Sequence, residues 1–148
     1  MSEIRTFEDS EYWKVSRQFR LFVTSEVVKK LPQDERFALA SQLRRAARSV
    51  TANIAEGFGR FHSRDNYKFC SNARGSLFEV LDHLISAHDD ARITKEALAD
   101  GRVHLENAIR ILNGYIKYFH RAADDTGAVR EDSESFPLAG LGSAFGHQ

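Results

Sequence analysis

Cysteine is almost absent from this sequence: Cys70 stands alone among 148 residues. No internal disulfide can form, so the fold must be held by packing. Proline occurs only at Pro32 and Pro137, which leaves a long stretch where helices can run without a missing N–H. No segment approaches the roughly 18 uninterrupted apolar residues of a membrane span. The opening, MSEIRTFEDSEYW, lacks the apolar run of a secretory leader. Net charge is lacking too, since 21 Lys and Arg balance 21 Asp and Glu. These absences predict a cytoplasmic protein without a membrane partner.

What is present is helical pattern. Hydrophobic residues make up 42% and charged residues 28%, an ordinary mixture for one globular domain with a single core. Helix one is expected from Asp9 to Lys30, with Tyr12, Val15, Phe19, Phe22, Val23 and Val27 on one arc and Leu21 and Val28 behind it. Helix two is expected from Pro32, a good first helical residue followed by Asp34 and Glu35. It carries Leu39, Leu43, Ala47, Val50 and Ile54 inward and stops at Gly57-Phe58-Gly59, where glycine suits a left-handed cap. Helix three follows Ser63, with Phe69, Cys70, Ala73, Leu77, Val80, Leu81, Leu84 and Ala91 forming its apolar face. Helix four starts near Thr94 and carries Leu98, Leu105, Ala108, Ile109, Leu112, Ile116 and Phe119. Long helices joined by short links predict an all-α, antiparallel up-down-up-down four-helix bundle over residues 1–123. Residues 124–148 read as an acidic, Gly/Ser-containing C-terminal tail. Its Phe136, Leu138, Leu141 and Phe145 are too few and too glycine-spaced for a core.

The neutral total hides an uneven distribution. Over residues 36–74, eight basic residues face only Glu56 and Asp65, a net charge of +6. Over 124–134, Arg130 faces five acids, a net charge of −4. With Arg44 set at 0° on a helical wheel, Arg48 falls at about 40° and Arg45 at about 100°, while Leu43, Val50 and Ile54 fall near −100°. These arginines therefore point away from the core. Their planar forks suit phosphate. Arg60, His62, Arg64 and Lys68 gather around the link between helices two and three. Arg44, Arg45, Arg48, Arg60, Arg64 and Lys68 are thus the candidate contacts to RNA or DNA. The alternatives are a solvated face, or a protein-only scaffold whose arginines meet another subunit or protein.

Chemistry finds less support. Gly57 and Gly59 give a GxG with no preceding strand, so a dinucleotide site is not expected. Cys70 sits on an apolar face without a histidine and acid at catalytic spacing. Di-iron bundles need Glu-x-x-His on two helices, whereas Glu79 and His83, and Asp100 and His104, are four apart. No catalytic residue, metal ligand or cofactor is expected, and the protein reads as non-enzymatic. Gly75 and Gly114, each costing about 1 kcal/mol inside a helix, are expected to mark close helix packing.

The stretch LPQDERFALASQLRRAARSVTANIAEGFGR, from Leu31 to Arg60, resembles the second helix and exit of the bacterial ribosomal RNA intervening-sequence proteins. Asn72–Leu77 (NARGSL), Leu112–Lys117 (LNGYIK), Phe7-Glu8-Asp9 and Trp13-Lys14 extend the resemblance to roughly residues 7 to 120. Two departures are Thr51, where the family usually has proline, and Leu81, where an acid is common. The resemblance implies the four-helix bundle and a homo-oligomer, with five subunits usual. It leaves the biochemical role undefined. Some members are encoded inside insertions of ribosomal RNA genes. A related branch serves diversity-generating retroelements, binding nucleic acid and a reverse transcriptase. By resemblance, therefore, the implied partners are a second copy of the chain, RNA or DNA, and a reverse transcriptase.

Overall fold

A computed structural model describes residues 3–35 and 37–125. Within them the chain is helical and contains no strand. Four long elements follow a short 3-10 turn at Phe7–Asp9: α1 (Glu11–Phe22), α2 (Leu39–Phe58), α3 (Ser63–Asp89) and α4 (Lys95–Asp125). Cross-helix contacts fix their directions. Tyr12 near the start of α1 packs its ring 4.2 Å from that of Tyr115, late in α4. Phe22 at the end of α1 stacks on His104, early in α4. Ser49 of α2 meets Ser76 of α3 at 2.8 Å. Each helix thus runs opposite to those before and after it, which is the expected up-down-up-down bundle.

The core matches the apolar stripes. Leu43, Val50, Ile54, Leu77, Leu84, Leu112 and Phe119 are fully buried. Periodicity missed Ile111 and Tyr115, which are buried beside them. Cys70 is buried as well, and loss of solvation pushes its thiol up to about 12, so it stays protonated at neutral pH.

Four local expectations are corrected. Helix one does reach Lys30, but through a π-helical turn at Val23–Val27 and a 3-10 turn at Val28–Lys30. The wider turn rotates the phase, so Val23, Val27 and Val28 all face inward. Val28 is therefore core, and only Leu21 remains on the outer side.

Helix two does not start at Pro32. Gln33–Glu35 form a separate 3-10 turn and α2 begins at Leu39. Asp34 and Glu35 serve a different purpose from an N-terminal turn. They bind Arg92 in the α3–α4 connection at 3.0 and 3.1 Å, clasping two connections at the same end of the bundle.

The left-handed residue is not in Gly57-Phe58-Gly59. Gly59 has φ −71°, and Gly57 lies buried inside α2. A Cβ on Gly57 would stand 2.8 Å from the Cβ of Phe69, so this glycine permits α2 and α3 to approach. Ala91 instead takes φ 57° and closes α3: its N–H donates to the His88 carbonyl, and that of Arg92 donates to the Ala87 carbonyl. This is a glycine-type helix end occupied by alanine, so Ala91 does not belong to the apolar face of α3.

Gly75 is exposed, and nothing lies within 4 Å of the position its Cβ would take. Packing among the described residues does not explain it. Gly101, by contrast, is buried against Leu84 and Phe22. At the C-terminal boundary α4 runs on through Asp124 and Asp125. The tail readings from residue 126 onward, like Arg36, lie outside the described residues.

Candidate nucleic-acid interface

The inward arc of α2 is Leu39, Leu43, Ala47, Val50 and Ile54, bordered on one side by buried Ala40 and Thr51. Arg44 flanks that border and is half-buried, while Arg45 and Arg48 are exposed. The helix places Arg44 and Arg48 one turn apart on the side that meets α1.

There α1 adds two arginines that were not nominated from the sequence. The Nη1 of Arg20 donates to the Thr51 hydroxyl at 2.7 Å. The same hydroxyl donates to the Arg48 carbonyl at 3.4 Å, so one side chain holds Arg20 while being held itself. Partial burial, then the nearby charges of Arg17 and Arg48, lower the Arg20 pKa. Its guanidinium nevertheless stays charged at neutral pH. Among the described residues, ion pairs tie Arg92, Arg60 and Lys30 to carboxylates, His83 and His120 each lie against one, and no carboxylate pairs with Arg17, Arg20, Arg44, Arg45 or Arg48. Among the described residues, the seam between α1 and α2 therefore carries positive charge that no ion pair neutralises.

The second group of candidates sits elsewhere. Arg48 and Arg60 are separated by twelve positions, about 18 Å along a helix. Arg60 pairs with Glu56 at 3.2 Å and lies over the Phe69 ring. Arg64 and Lys68 are exposed on the first turns of α3. Close to them in the chain, Phe61 is 89% exposed. The C-terminal part of α4 comes to the same end: the His120 ring lies 5.1 Å from that of Tyr67. A shallow depression of about 260 Å³ is lined by Tyr67, Ile116, Lys117, His120 and Arg121. Acids dilute this end, since Asp124 pairs with His120 at 3.2 Å. Arg74, part of the basic stretch, is held by Asn113 of α4 at 2.9 Å.

The six nominated residues thus do not form one site. Arg44 and Arg48 join Arg17 and Arg20 at the α1–α2 seam, whereas Arg45 is exposed on the outer face of α2. Arg60, Arg64 and Lys68 lie at the end of the bundle. Arg17 and Arg20 escaped the sequence reading because they are remote from the basic stretch. Their i,i+3 spacing beside core Phe19 was the available signal. A third feature, a groove of about 680 Å³ beside the Arg92 clasp, has mixed walls that include Phe22, Val27, Ile93, Val103 and His104.

No helix among the described residues is long and apolar enough to cross a membrane. No curated protein matches the chain. A sequence profile of the 23S rRNA-intervening sequence proteins matches residues 8–114, nearly the span that the resemblance of the helix-two block implied. With its four antiparallel helices and this match over most of its length, the chain belongs to the 23S rRNA-intervening sequence protein family.

Proposed function

We propose that this protein is a non-enzymatic, homo-oligomeric helical bundle that binds RNA, or DNA of similar charge, through the arginines of the α1–α2 seam. The observation that carries this reading is the gathering of Arg17, Arg20 and Arg48 without a carboxylate among the described residues. Guanidiniums meet phosphate with paired hydrogen bonds. The family's name, which refers to 23S ribosomal RNA, favours RNA as the first ligand to test. A single subunit offers few phosphate contacts, and a ring of copies would let one strand engage several sites. Such contacts read the backbone and not the base sequence.

Self-association is supported by features that the described residues of one chain do not explain. Gly75 is exposed in the middle of α3 with open space around it, and Phe61 is 89% exposed. A second subunit would account for both.

The test is a filter-binding titration of the full chain with RNA and with DNA, using intact protein and a variant with Arg44, Arg45 and Arg48 all changed to Gln. The intact protein is expected to bind at low salt and to weaken steeply as salt rises. The triple variant should keep its helical spectrum, lose most of its affinity and show a flatter salt dependence. Absence of binding by intact protein at low salt would replace this reading with that of a protein scaffold. The scaffold reading gains directly if the triple variant also dissociates the oligomer.

A further inference from the structure

The α1–α2 seam is not simply a basic surface. On a solvated face, like charges move apart, because long side chains are free to choose other rotamers. Arg20 does not have that freedom. Its Nη1 is tied to the Thr51 hydroxyl at 2.7 Å, and Thr51 is itself buried and donates to the Arg48 carbonyl. Arg17 is one helical turn from Arg20, and Arg48 is one turn from Thr51. Both lie near enough to disfavour the charge on Arg20. Arg20 is therefore held in place with two like charges near it, and among the described residues no carboxylate forms an ion pair with any of the three.

Its treatment of other arginines is different. Arg92 receives two carboxylates and Arg60 receives one. The π-helical turn begins three residues after Arg20, with the Thr24 hydroxyl bonded back to the Arg20 carbonyl at 3.1 Å. Such single wide turns are frequent at functional sites.

We propose that Arg17, Arg20 and Arg48, with the Arg20 guanidinium held by the Thr51 hydroxyl, form a discrete binding site for one phosphate group of a nucleic-acid strand. The identity of the strand rests on the proposed function above, whereas the phosphate site rests on this geometry. A phosphate supplies several acceptor oxygens and the missing negative charge. Arg20 presents further N–H donors beyond the one bound to Thr51. Because Thr51 already restricts Arg20, less rotamer entropy is lost on binding. Thr51 is a positioning residue, and Arg17, Arg20 and Arg48 make the contacts.

The experiment titrates the full chain with oligouridylate and, separately, with inorganic pyrophosphate, and follows affinity, salt dependence and melting temperature. Arg20→Gln is expected to weaken oligouridylate binding about tenfold and to lower the log–log salt slope by about one. Thr51→Val keeps all three charges, so it should weaken binding about fivefold at unchanged slope. Thr51→Ser should restore it. If Arg20→Gln does not fold, the exposed Arg17→Gln serves as the charge variant. Intact protein that prefers oligouridylate strongly over pyrophosphate identifies the ligand as a strand phosphate. Pyrophosphate binding that is lost in Arg20→Gln, without any oligouridylate binding, keeps the anion site and overturns the nucleic-acid reading. Oligouridylate binding that is untouched in the charge variant and in Thr51→Val overturns the site and leaves that reading standing. Failure of both ligands to bind overturns both.

Discussion

Arg92 and Arg20 are both half-buried arginines that join separate segments, and their surroundings are opposite in sign. Arg92 closes one end of the bundle by holding Asp34 and Glu35 from another connection. Arg20 bridges α1 to α2 through a neutral hydroxyl, with Arg17 and Arg48 as its charged neighbours. The first arrangement contributes to folding and is complete within the chain. The second is electrostatically incomplete among the described residues, which is the condition expected of a surface that meets an anionic partner. One fold uses the same side chain for both purposes, and the difference lies in whether carboxylates accompany it.

The comparison depends on a bundle that is packed as described. The largest effects should therefore come from the core beneath both regions. Leu43, Leu77 and Leu112 are each fully buried. Replacing any one by Ala should cost about 2–5 kcal/mol, measured by chemical denaturation. A loss below about half a kilocalorie would put that leucine outside a tightly packed core.

Gly57→Ala should follow, at about 1–3 kcal/mol, because its Cβ would press on the Cβ of Phe69, which belongs to a helix and not to a flexible tip. Ala91→Gly should act in the opposite direction at the clasp. Relief of the left-handed alanine should stabilise the fold by about 1 kcal/mol, visible as a higher denaturation midpoint. An unchanged or lower midpoint would mean that Ala91 is not strained as its φ of 57° indicates.

The smallest effects test the comparison itself. Arg92→Gln should lose up to about 1 kcal/mol, the upper range for a partly exposed pair. Arg20→Gln should cost less than that or raise stability slightly, since removing one of three like charges offsets the lost hydrogen bond. If both variants destabilise equally, the proposed distinction between a structural and an unfinished arginine fails.

Much of this architecture was legible from spacing alone. The stripe of α2 from Leu39 to Ile54 is buried as its period requires. Thr94, the expected start of the last helix, caps it by accepting the Ala97 N–H at 3.0 Å. What was not legible depends on contacts between helices. Pro32, Asp34 and Glu35 carry every local signal of a helix start, yet the acids are drawn to Arg92, distant in sequence. Gly57 reads as a helix terminator until Phe69 is seen against it. The burial of Val28 requires a turn of different width, which a fixed angle of about 100° per residue cannot anticipate. The candidate interface failed in the same way. Arginine density marked Arg44, Arg45 and Arg48, but the folded chain brings Arg17 and Arg20 from α1 near Arg48 and leaves Arg60, Arg64 and Lys68 at the end of the bundle.

The most direct test is the salt dependence of RNA binding by the intact chain, measured by filter retention across a range of potassium chloride. Measurable binding at low salt is expected, with a linear fall of log affinity with log salt whose slope scales with the number of phosphates neutralised. That slope should become shallower when Arg44, Arg45 and Arg48 are replaced together by Gln. Affinity that is absent at low salt, or that is indifferent to salt and to these three arginines, would contradict the proposed function.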